Sequence, residues 1–108
     1  MPICFTNEDT QSITISVYKS VSSAYTAILQ YSTDGTTWNS WGETSTTALS
    51  QKVSPNQKLY IRNANNNGYF NDYSSYYNYF QSSGKCSVSG NIMSLGYKDF
   101  GGKYSTQY

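Results

Sequence analysis

The sequence predicts an all-β chain, an immunoglobulin-like antiparallel β-sandwich of about seven or eight short strands. Three observations carry that expectation. Several short runs alternate polar and apolar residues with a period of two, the signature of half-buried strands. Turn signals such as Asp34-Gly35, Ser54-Pro55-Asn56-Gln57 and Ser83-Gly84 separate these runs at short, regular intervals. The polar content is mostly Ser, Thr, Asn, Gln and Tyr, with Tyr occurring 12 times and Ala scarce, a composition that suits strands and turns better than helices.

Taken in order, the first strand-like segment lies almost at the N-terminus, around Cys4-Phe5-Thr6. Ser12-Ile13-Thr14-Ile15-Ser16-Val17 alternates strictly, with Ile13, Ile15 and Val17 inward. Ala27-Ile28-Leu29-Gln30-Tyr31-Ser32 forms the next strand and runs into the tight-turn pair Asp34-Gly35. Thr37-Trp38-Asn39-Ser40-Trp41 reads as the returning strand; in an unbroken strand its two Trp would face opposite sides. Residues 44–49 form a polar, β-prone run anchored by Leu49, and the turn at 54–57 follows. Lys58-Leu59-Tyr60-Ile61-Arg62 is a clear strand with Leu59 and Ile61 inward and Tyr60 and Arg62 outward. Residues 63–75 read as a long Asn-, Gly-, Ser- and Tyr-rich loop. Strands resume at 76–81 and 85–89; Gly90 breaks the second, and a further run covers 91–95. The expected core is Ile13, Ile15, Val17, Leu29, Tyr31, Leu59, Ile61, Phe80 and Val88. The domain organisation is one β-sandwich over 1–95, with 96–108 an extended or loosely ordered tail.

Charge and length narrow the function classes. A chain of 108 residues is one domain's worth, and the formal net charge of +1 offers no single-signed field for nucleic acid or an anionic membrane. No run approaches the roughly 20 apolar residues of a membrane-spanning helix. Met1-Pro2-Ile3-Cys4-Phe5 lacks a basic region followed by an apolar core, so no signal peptide is expected. Cys4 and Cys86, the only cysteines, permit one disulfide or stand as two small buried thiols.

No catalytic residues and no cofactor are expected. The chain has no His, the commonest proton shuttle, and the spacing of Asp34, Glu43 and Asp72 does not support a carboxylate pair. Asn63-Ala64-Asn65-Asn66-Asn67-Gly68 mimics the opening of a calcium loop, but its ligands would be neutral amides and Ser74 stands where a closing Glu belongs. It reads as a plain Asn-rich loop, and no metal site is expected.

The unusual feature is aromatic. Tyr69, Phe70, Tyr73, Tyr76, Tyr77, Tyr79 and Phe80 crowd together among Asn and Ser, the palette of adaptable recognition loops. Some of these rings could equally cap the sandwich or form cross-strand pairs. Trp38 and Trp41 add two rings on which a sugar could stack. The candidate binding residues are therefore Trp38, Trp41, Tyr69, Phe70, Tyr73, Tyr76, Tyr77 and Tyr79.

Four phrases occur in order: Cys4-Phe5-Thr6; Leu29-Gln30-Tyr31-Ser32-Thr33-Asp34-Gly35-Thr36-Thr37-Trp38; Lys58-Leu59-Tyr60-Ile61-Arg62; and the run 84–95, Gly-Lys-Cys-Ser-Val-Ser-Gly-Asn-Ile-Met-Ser-Leu. Together they resemble a β-sandwich module of gut-bacterial BspA-like surface proteins, and similar modules in virion proteins of phages infecting such bacteria. Cys86 stands where that resemblance leads one to expect an aliphatic residue, which favours a buried thiol. The resemblance implies display or attachment and no catalytic residue. With neither a leader nor leucine-rich repeats read in the chain, it favours a bacteriophage virion component, a head or tail decoration or fibre protein assembled in the host cytoplasm. The alternative is a carbohydrate-binding or adhesion module of a secreted bacterial surface protein. The expected partners are a protein of a larger assembly, a second copy of the chain, or a glycan.

Overall fold

The computed structural model describes residues 3–19, 22–23, 26–64 and 78–90. Eight strands make two antiparallel sheets: β1 (Ile3–Asn7), β2 (Ile13–Lys19), β3 (Ile28–Ser32), β4 (Asn39–Glu43), β5 (Leu49–Val53), β6 (Lys58–Asn63), β7 (Asn78–Ser82) and β8 (Cys86–Gly90). One sheet has the order β4-β3-β6-β1-β8 and the other β5-β2-β7. The links β2 to β3 and β5 to β6 both cross between sheets, while β2 pairs with β5 and β3 with β6, so the two sheets interlock. This is the antiparallel sandwich that the alternation predicts. Among the described residues no helix is long and apolar enough to cross a membrane.

The strand patterns show why the sheets stack. In β2 every second residue is buried, from Ile13 to Lys19. Ile3 and Phe5 of β1, Leu29 of β3, Leu59 and Ile61 of β6, and Val88 of β8 supply the facing layer. Phe5 meets Phe80 across the two sheets with ring centroids 5.5 Å apart at a 35° tilt. Each such ring, fully buried, contributes roughly 1.5–3 kcal/mol of apolar burial. The core contains the expected residues except Tyr31, which is half-buried and packs against its margin. It also includes Ile3, Phe5, Ala27, Val53 and Cys86.

Several boundaries differ from expectation, each for a local reason. Residues 44–48 are not a strand. The Thr44 hydroxyl accepts the Ala27 N–H at 2.9 Å, and the Ser45 hydroxyl bonds both the N–H and the C=O of Thr47. The Thr44 N–H and the Ser45 carbonyl keep backbone partners in Ala27 and Lys19, but the Ser45 side chain takes both backbone groups of Thr47, and β5 starts only at Leu49. The strand expected from Thr37 starts at Asn39, because the Asp34 carboxylate holds the N–H groups of Thr36 and Thr37 in the turn. Gly90 is the last described residue of β8 and still pairs with Ile3. The strand expected over 76–81 is β7, described from Asn78 to Ser82; positions 76 and 77 lie outside the described residues. The expected run 91–95 and tail 96–108 lie outside the described residues, as does most of the Asn-rich loop.

One buried polar residue ties the lower end together. Asn7 is 1% exposed. Its Nδ2 donates to the carbonyls of Gln11 and Val53, both at 3.0 Å, and its Oδ1 accepts the Asp9 N–H at 2.7 Å. Its backbone bonds Gln57 and Asn56 across the β5–β6 turn. There Pro55 presets the backbone and Asn56 takes a φ of 64°, as a type II turn requires.

Candidate functional site

Leu59 and Ile61 point into the core, so Lys58, Tyr60 and Arg62 stand on the outer face of the five-stranded sheet. Directly paired residues share a face. Gln30 and Ser32 of β3 lie opposite Arg62 and Tyr60, Thr6 and Cys4 of β1 lie opposite Lys58 and Tyr60, and Ser40 of β4 lies opposite Gln30. Trp38, two residues before Ser40, joins the same face. The Arg62 guanidinium carbon sits 4.1 Å from the Trp38 ring centre, a cation–π distance. Arg62 Nε donates to Gln30 Oε1 at 2.7 Å, and Lys58 Nζ donates to Thr6 Oγ1 at 3.2 Å.

The turn leading into β4 supports this face. Ser32 is fully buried; its hydroxyl donates to Asp34 Oδ1 at 2.9 Å and accepts the N–H groups of Asp34 and Gly35. Hydrogen bonds from the Thr37 and Thr36 N–H groups, then from Ser32, hold the Asp34 carboxyl well below the usual carboxylate range. Gly35 takes a φ of 84°, and a Cβ there would lie 3.3 Å from the Tyr60 ring. The Tyr60 ring therefore rests against the turn, which limits its freedom.

Trp41 has a different place. Leu29 pairs with Gly42 and Gln30 with Ser40, so Trp41 is the extra residue of a β-bulge. Gly42 takes a φ of 137°. The Trp41 ring is half-buried, stands edge-on to Tyr31 at 6.1 Å, and its Nε1–H donates to Ser50 O of β5 at 3.4 Å. Trp41 thus spans the seam between the sheets at the β4 and β5 edges. The structure does not bring the two Trp into one surface.

Of the tyrosine-rich candidates, Tyr79 sits on β7 opposite Tyr18. Tyr69, Phe70, Tyr73, Tyr76 and Tyr77 lie outside the described residues. Sequence reasoning placed Tyr60 and Arg62 outward without naming them, or Gln30, as site residues. Their join to Trp38 depends on β3 lying between β4 and β6, and no local pattern reveals that order. Chemically the face offers rings, a fixed guanidinium, and hydroxyl and amide groups. Among the described residues no three His, Cys, Asp or Glu side chains gather where they could hold a metal ion.

Both cysteines are buried and free. Cys86 lies opposite Asn7 and shares its inward face, whereas Cys4 lies opposite Ser89 and faces outward. They occupy opposite faces of one sheet, which rules out a disulfide between them in this fold. Burial pushes the Cys86 thiol up to about 11; the Ser82 hydroxyl opposes that shift and the charge of Glu8 adds to it.

No protein-family model, curated protein or solved structure matches the chain.

Proposed function

We propose that this protein is a non-enzymatic attachment module that decorates a larger assembly, foremost a bacteriophage virion as a head or tail decoration or fibre protein. The observation that carries the reading is the outer face of the five-stranded sheet. It presents Trp38, Arg62, Gln30 and Tyr60 on a sandwich whose large apolar residues, among those described, are almost all inside. A rigid two-sheet scaffold with one ring-and-guanidinium surface suits recognition, and aromatic and Arg side chains are the groups enriched at interfaces. The sequence resemblance to surface and virion modules supplies the setting. The tyrosine-rich segment is the second candidate contact, toward a neighbouring protein or another copy of the chain.

A second reading, a carbohydrate-binding or adhesion module of a bacterial surface protein, is favoured by the same stacked Trp38. Immunogold labelling with antibodies to the chain separates the two. Regular labelling of purified virions from gut-bacterial cultures supports the first reading. Labelling confined to bacterial envelopes rejects it in favour of the second.

A further inference from the structure

Resting on the reading of this outer face as the binding surface, we propose that it takes a carboxylate-bearing glycan, a polysaccharide containing uronic acids, with Arg62 as the carboxylate anchor. Three features of Arg62 lead there. Its Nε is committed to Gln30 Oε1 and its guanidinium carbon lies 4.1 Å over the Trp38 ring, so the fork is held from two sides before any ligand arrives. Its Nη groups have no hydrogen-bond partner among the described residues. Nor does Arg62 form an ion pair with any described residue; the face's own carboxylate, Glu43, lies opposite exposed Ile28 on the edge strand. A guanidinium so positioned matches a carboxylate bidentately, and little side-chain entropy remains to be lost on binding.

The neighbours favour a sugar over an acidic peptide. Around Arg62 lie the Gln30 amide, the Ser40 hydroxyl and the Tyr60 ring, which suit hydroxyl groups and a pyranose face. Ile28, at one end of this face, is the one large exposed apolar residue among those described, so the described face gives apolar peptide side chains little to bury against. Peptides that extend a sheet need a free strand edge, whereas Arg62 lies on β6, the middle strand of five.

Calorimetric titration of the full chain tests this with polygalacturonate oligomers, their methyl esters and poly-glutamate. The acid form is expected to bind saturably. Methyl esterification, Arg62→Gln and Arg62→Lys should each weaken binding at least about tenfold, the last because charge is kept but the fork is lost. Circular dichroism melts check that each variant folds. Equal binding of acid and ester, unchanged binding by a folded Arg62→Gln, poly-glutamate binding as well as the uronate, or no uronate binding each overturns the proposal. Ester binding that depends on Trp38 would sink the carboxylate inference and leave attachment through this face standing.

Discussion

Single side chains decide more here than their size suggests. Asn7 satisfies two carbonyls and one N–H in a site that water does not reach. Truncation leaves those groups unpaired, so Asn7→Ala should cost about 2–4 kcal/mol in urea denaturation. Asn7→Asp should be worse at neutral pH, since a carboxylate would face the carbonyls of Gln11 and Val53, and should recover part of the loss on acidification. Cys86 gives a test of the same sign at alkaline pH. The fold favours its neutral thiol, so the unfolded chain ionises first, near 9, and the folded one only towards 11. Above 9 the native state binds more protons than the unfolded state, so stability falls as pH rises through that window. Alkaline denaturation curves for Cys86→Ala should lose that component of the slope, while the tyrosine and lysine contributions common to both proteins remain.

At the scale of elements, legibility tracks how far a strand's surroundings are encoded nearby. β2 and β6 are plain in the sequence because one face is apolar at every second residue, from Ile13 to Val17 and at Leu59 and Ile61. Residues 44–48 mislead because Thr and Ser favour strands on average but here bond the backbone through their hydroxyls. Phe5 escapes notice because β1 is short and buried at both Cys4 and Phe5, so alternation is masked. The separation of Trp38 from Trp41 depends on the β4 bulge, which exists only relative to β3. Gly42 makes that bulge affordable in backbone terms, and a Cβ there would come 3.1 Å from Leu49 Cδ2. Gly42→Ala should therefore cost about 1–3 kcal/mol by thermal melt and loosen the Trp41 seam. An unchanged melting temperature would mean that β4 can pair without the bulge.

For the whole molecule, stability rests on the contact of two rather small layers. A domain of this size holds about 5–15 kcal/mol in total. Phe5→Ala removes one side of the ring pair that joins the sheets and should cost about 3–5 kcal/mol, enough to leave the domain marginal by chemical denaturation. Phe80→Ala should match it within about 1 kcal/mol, and the double variant should fall short of the sum because the rings touch. Association is a separate question, because among the described residues β4, β8, β5 and β7 end their sheets, and an uncovered end strand is a site where another chain can pair. Light scattering across a concentration range is expected to give a defined dimer or trimer for a self-assembling decoration protein. A monomer at every concentration would move the attachment role to an outside partner.

The bulge that parts the two indoles also gives the molecule two independent optical reporters. Trp38 lies under a guanidinium on the outer face, and Trp41 lies in the seam between sheets. A single-Trp variant that keeps Trp38, with Phe at 41, would change its emission when a ligand displaces or tightens Arg62, without any loss of fold. One that keeps Trp41, with Phe at 38, would stay silent to ligand and respond when the sheets come apart. Recognition and unfolding, which usually blur into one fluorescence signal, can thus be followed in this chain as two separate colours.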